Sequence, residues 1–200
     1  VPSYYIPTSE LLNKNGLFLA NQAYQLLSLQ KLEEGLYLAK LAVSLNKKDH
    51  KIWAILAEAQ IRNNLLEESL QSIQKGKSLN PEIADFYFVE SSIYLQKNKL
   101  IKARKTLEKG ISIQPKNSFA LFQLGNIFIM QKNYQQALKV FSRAIEIKND
   151  YWQVINNIGL VNYEINENLL AEINFKKAIN IQRNSETLLA LAVTLQNKDL

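Results

Sequence analysis

Residues 118–151 read SFALFQLGNIFIMQKNYQQALKVFSRAIEIKNDY, and the fold is decided in this stretch. Leu121, Leu124, Gly125 and Phe128 fall at i, i+3, i+4 and i+7, one face of an α-helix. Lys132 and Asn133 break that pattern and make a turn. Ala137, Phe141, Ala144 and Ile147 then form the inner stripe of a second, antiparallel helix. Gly125 and Ala137 are small where the two helices approach closely, and Phe141 fills the space that opens farther along. Ala144 is small because the first helix of a following unit crosses there.

Outward from this segment, the same residue types return every 34 residues. Ala42, Gly76, Gly110, Ala144 and Ala178 form one row, and Gly35, Ser69, Ala103, Ala137 and Ala171 a second. Ala23, Ala57, Ser91, Gly125 and Gly159 form a third; Leu45, Leu79, Ile113, Ile147 and Ile181 form a large aliphatic fourth. Four rows at one period specify a helical hairpin stacked about five times. The units are 16–49, 50–83, 84–117, 118–151 and 152–185. Trp53, Leu56 and Ala57 start the second. Tyr87, Ser91, Tyr94, Ala103, Leu107 and Gly110 build the third, and Ile155, Ile158, Gly159, Ala171, Phe175 and Ala178 the fifth. Pro81 and Pro115 stop the second helices of their units, because proline lacks the amide donor and clashes with the preceding turn.

Period, small positions and both proline stops resemble the tetratricopeptide repeat, and the resemblance covers 16–185. It implies an all-α fold, an α-solenoid of about five stacked helix–turn–helix units. Departures are mild. Gln22 and Gly35 stand where Leu and Ala are usual, and no proline follows Leu45, Ile147 or Ile181. Asn162 and Asn168 replace the usual aromatics, which predicts a looser turn in the last unit. Residues 1–15 read as an extended arm, Pro2 to Pro7, and a helical lead-in through Leu11 and Leu12 capped by Thr8 or Ser9. In 186–200, Leu188, Leu191, Ala192 and Leu195 repeat the first-helix pattern one residue early, which predicts a C-terminal capping helix.

The bulk composition narrows the function classes. At 47% apolar and 21% charged, the 200-residue chain has ordinary globular composition. The longest apolar stretches, such as 188–193, are too short to span a bilayer. No Cys is present, so disulfides and thiolate metal sites are excluded. Val1, rather than Met, implies that an N-terminal segment has been removed. If that segment was a signal peptide, the chain is exported to a periplasm or thylakoid lumen; otherwise it is cytoplasmic.

In the tetratricopeptide family, the first helices line a concave groove that holds an extended peptide. The positions left over after packing is assigned are Phe88, Val89, Ser92 and Leu95, then Phe119, Phe122, Gln123, Asn126, Ile129 and Met130. The next unit supplies Gln153, Asn156, Asn157, Leu160 and Tyr163. This wall is apolar, rich in amides and nearly free of charge. It serves either as a binding surface for a protein or extended peptide, or as partial packing against neighbouring helices. Family members that clamp a C-terminal carboxylate use Lys and Asn, then Asn, then Lys and Arg. Asn126 and Asn157 match the asparagines, but Phe122, Glu186 and Ala190 stand at the cationic positions. Without those cations a carboxylate clamp is not expected.

The basic run Lys97, Lys99, Lys102, Arg104, Lys105, Lys109 and Lys116 lies on a turn and second helix, and reads first as a solvated face. An acidic protein or an anionic membrane is the alternative reading. Nucleic acid is not expected, since no aromatic platform is interleaved with the cations. Catalysis has little to stand on: the single His50 reads as a surface linker residue, and Glu33–Glu34 and Glu67–Glu68 as solubilising exteriors. No metal spacing and no phosphate-binding loop is present, so neither cofactor nor metal is expected.

The sequence therefore reads as a non-enzymatic scaffold that acts as an assembly factor or chaperone-like adaptor. Self-assembly through the apolar C-terminal helix, or a regulatory part of a larger enzyme, are the alternatives. The 152–164 segment, with Asn156-Asn157-Ile158-Gly159-Leu160-Val161, is similar to tetratricopeptide proteins of cyanobacteria and plastids. That similarity implies a photosynthetic membrane protein as partner.

Overall fold

In a computed structural model, residues 9–196 are described, with side chains from residue 13 onward. The arm expected at 2–7, Thr8 and the last four residues of the expected cap lie outside them. Eleven α-helices are found among the described residues, and no strand. They are α1 Ser9–Ser28, α2 Leu32–Leu45, α3 His50–Arg62, α4 Leu66–Leu79, α5 Ala84–Gln96 and α6 Leu100–Ile113. α7 Ser118–Met130, α8 Tyr134–Ile147, α9 Trp152–Glu164, α10 Asn168–Ile181 and α11 Ser185–Gln196 follow. The fold class is the all-α stack of helical hairpins that the period predicts.

Two compact units divide the chain, Val1–Lys99 and Leu100–Leu200, and the division falls between α5 and α6. In the first unit α1 packs on α2, both pack on α3, α3 packs on α4, and α4 on α5. In the second, α7 packs on α8 and α9 on α10, while α6 lies against α7, α8 against α9, and α10 against α11.

The small rows do what close approach requires. A Cβ on Gly125 would enter the ring of Phe141, and one on Gly159 would lie 2.7 Å from Phe175 Cδ1. Both rings are fully buried, so neither has room to withdraw. Gly76 faces Phe86 in the same way, where α5 crosses α4.

Each hairpin turn is closed by backbone hydrogen bonds. Lys132 N donates to Ile129 O at 2.8 Å and Asn133 N to Phe128 O at 2.8 Å, a Schellman closure with Lys132 left-handed at φ 54°. Gln30, Asn64, Asn98 and Asn166 occupy the same conformation, so the turn residue too repeats at the helical period. The turn after α9 is as tight as the rest: Asn166 N donates to Tyr163 O at 3.0 Å and Glu167 N to Asn162 O at 2.8 Å. The looser turn expected there is therefore absent. These bonds use no side chain, so replacing the aromatics at Asn162 and Asn168 leaves them intact.

Second helices likewise end alike with or without proline. Asn46, Asn80, Lys148 and Gln182 turn to extended backbone, while the N–H of each still bonds to Ala42, Gly76, Ala144 and Ala178 respectively. Proline enforces a stop that the extended residue already makes.

α11 corrects one reading in detail. Its buried residues are Thr187 and Thr194, whereas Leu188 and Leu195 are 36% and 40% exposed and Ala192 is exposed. The apolar stripe expected to pack is the face that a second helix covers in complete hairpins. Among the described residues no helix covers it here. α11 instead seats its threonine side against the preceding hairpin.

Candidate protein-binding surface

First helices position the side chains singled out from sequence. On α7, Phe119 is 57% exposed and Met130, at the other end of the helix, 62%. Phe122 is half-buried and does not stand free. Its ring lies 6.5 Å from Phe119, 6.4 Å from Phe141 and 5.4 Å from Tyr151, all tilted, so it packs between helix and linker. Burial also raises the Tyr151 phenol above the ordinary tyrosine value.

The amides come together across α7 and α9. Asn157 Nδ2 donates to Asn126 Oδ1 at 2.6 Å, and Asn156 Nδ2 donates to Asn157 Oδ1 at 3.4 Å. Asn156 Oδ1 is buried with no partner. Asn126 and Asn157 thus spend part of their capacity on each other, and what they offer a ligand is the remainder. Gln123 and Gln153 are half-buried nearby in chain terms, on α7 and α9. Phe88, on α5, is half-buried in the other unit.

Within the first unit the structure holds a groove that sequence reasoning missed. It has a volume of about 360 Å³ and runs along α1, α3 and α5. Leu17, Ala54, Ile55, Ala57, Ile73, Phe86 and Val89 give it an apolar lining, and Asn21 lines it with an amide. Asn21, Ile55 and Val89 share one register position in successive first helices, spaced 34 apart. The sequence signal was Ala54, which stands where the next two units carry Phe88 and Phe122. A methyl group there leaves open what a phenyl ring would fill.

The groove lining carries both signs, Lys51 against Glu58 and Asp85, with the imidazole of His50 among them. Arg62 Nε donates to Glu58 at 2.6 Å and so offsets that carboxylate. His50 is not a detached linker residue: it is the first residue of α3, half-buried and part of the lining. Asp49 caps that helix by accepting from Lys51 N at 2.8 Å.

A buried polar network fixes α5 as one wall. Lys77 Nζ donates to Glu90 Oε2 at 2.7 Å, and Gln74 Nε2 to Glu90 Oε1 at 2.8 Å. Tyr94 adds a donor at 3.3 Å, and Lys77 also lies 4.4 Å from the Tyr87 ring centre. Burial first, and Glu90 second, raise the Tyr94 phenol above its ordinary value. The phenol therefore remains a donor up to high pH.

The basic run is not one uniform array. Lys97 is paired with Glu67, whose carboxyl the Lys97 hydrogen bond holds below the usual range. Arg104 donates to Glu108 at 3.3 Å and lies 5.8 Å from the Phe128 ring centre. Lys105, Lys109 and Lys116 are exposed. Among the described residues, no cluster of three or more His, Asp or Glu has metal-binding reach, and no helix is long and apolar enough to cross a membrane.

Family comparison matches residues 84–117 and, separately, residues 118–151 to the tetratricopeptide repeat. Comparison with curated proteins gives no significant match. Among solved structures, MamA residues 41 to the end, from Desulfovibrio magneticus RS-1, are 16% identical with a TM-score of 0.76. That alignment covers 86% of this chain and 97% of that one. YrrB, described as a TPR protein with an unusual peptide-binding site, is 19% identical with a TM-score of 0.72 over 91% of each chain. PilF of Pseudomonas aeruginosa is 14% identical with a TM-score of 0.79, covering 94% of this chain and 87% of that chain. At these identities the likeness establishes the fold. The two matched segments, residues 84–151, are thus tetratricopeptide repeats, and the helical hairpins on either side of them have the same architecture.

Proposed function

We propose that the chain is a non-enzymatic protein-binding scaffold, five repeats with α11 as terminal cap, whose first-helix face receives an extended segment of a partner. The observation that carries this reading is the apolar groove of about 360 Å³ along α1, α3 and α5. Recessed apolar surface with a few polar groups at its edge is the usual form of a ligand site. Asn21 offers both a donor and an acceptor to a peptide backbone, while Ile55 and Val89 receive a side chain. In the second unit the same helix face presents exposed Phe119 and Met130 beside Gln123, Asn126, Gln153, Asn156 and Asn157. The likeness to YrrB, a TPR protein with a peptide-binding site, supports a peptide as the ligand class.

The test is selection of peptides from a displayed random library on the full chain, followed by titration against Ala54→Trp. Ala54 is exposed, so the larger ring folds in while closing the groove. Selected peptides should lose about tenfold or more in affinity, the equivalent of one well-buried apolar side chain. Undiminished binding by Ala54→Trp overturns the groove as the site. An assembly role beside photosynthetic membrane proteins rests on the 152–164 similarity alone; affinity purification from native membranes tests it.

A further inference from the structure

A second furrow lies in the second unit, between the two second helices α6 and α8, with a volume of about 420 Å³. Its floor is Ile111, Leu124, Phe128 and Val140, all at most 7% exposed. Its edges are polar and carry charge. Lys139 and Arg143, one turn apart on α8, are exposed along one edge. The acid on the other edge, Glu108, is already bonded to Arg104, so the edge charge left over is positive. No ion pair is found for Lys139 or Arg143 among the described residues.

We propose that this furrow is a second docking site, separate from the first-helix groove, for an acidic peptide segment that places an apolar side chain over Phe128 and Val140. Its carboxylates meet Lys139 and Arg143. Charge complementarity names the occupant, since a cationic edge over an apolar floor matches a segment that alternates acidic with apolar residues. The net charge of +6 speeds the approach of such a partner. A bilayer fits less well, because membrane surfaces engage apolar groups that protrude, whereas these are recessed below the charges. Single-stranded nucleic acid needs an open ring to stack on, and the Phe128 ring lies beneath Arg104.

The probes are a fluorescein-labelled peptide alternating Glu and Leu, one alternating Lys and Leu, polyglutamate, and phosphatidylglycerol vesicles, each titrated against the full chain. The Glu–Leu peptide should bind and shift the backbone amide resonances of Ser112, Gln136 and Arg143. The Lys–Leu peptide should bind at least about tenfold more weakly. Lys139→Glu with Arg143→Glu should weaken the Glu–Leu peptide by about tenfold or more, as reversal of two partly desolvated pairs predicts. Ser112→Trp, at an exposed edge position, should block the furrow to the same degree with an unchanged thermal melt. Ala54→Trp should leave this binding unaltered. Equal affinity for polyglutamate overturns the proposal, since the apolar floor would then be idle. So does undiminished binding by Ser112→Trp, or vesicle affinity that exceeds peptide affinity and falls with the same variants.

Discussion

At the scale of single residues, the chain was most legible where a side chain is small for a reason. Gly125 was read from sequence as a contact position, and the ring it makes room for is Phe141, fully buried. Gly125→Ala gains helix propensity of about 1 kcal/mol but overpacks a ring that cannot withdraw. A net loss of about 2 kcal/mol is expected, read as a lower midpoint in urea with unchanged slope. A stability equal to or above the parent's would mean that Phe141 moves freely. Phe122 was less legible, because exposure of an aromatic depends on what the next linker brings, and Tyr151 lies beyond the helix whose periodicity was read. Ala54 was passed over for the opposite reason: a small residue is informative only against the larger ones at its register.

At the scale of elements, helix extents follow the 3.6-residue period closely, but the turns hide their own rule. The left-handed row Gln30, Asn64, Asn98, Lys132 and Asn166 is Asn at three of its five positions, a signal that the helical period does not carry. Asn tolerates that conformation, while Gln and Lys are strained there. Lys132→Gly should therefore raise stability by about 1 kcal/mol, since the turn keeps its backbone bonds and loses the Cβ clash. A lower melting temperature would show that the Lys132 side chain makes a compensating contact. The register of α11 was misread for a related reason. Its pattern was assigned to the face that faces a partner helix in full hairpins, and here that face has none among the described residues.

At the scale of the molecule, repeat proteins hold together through neighbours, so damage should stay local. Glu90→Ala provides the test. It leaves the Lys77 ammonium without its carboxylate at a site where only 18% of the lysine side chain is exposed. Removing one partner of such a pair costs up to about 3 kcal/mol. Amide hydrogen exchange should accelerate first in α4 and α5, while the amides of α8 and α10 hold their protection longer. Uniform acceleration along the chain would mean one cooperative transition. The division between Lys99 and Leu100 is legible only in three dimensions, because the 34-residue period runs through it unbroken.

The turn closures have a consequence for how such a chain changes over generations. Their hydrogen bonds run from amide to carbonyl, so the path of the backbone is indifferent to the residues that decorate the first helices. Substitutions such as Ala54 for Phe, or Gln153 for Phe119, change what one hairpin recognises without altering where the next one begins. Inheritance can revise the vocabulary of this surface one hairpin at a time while its grammar stays fixed.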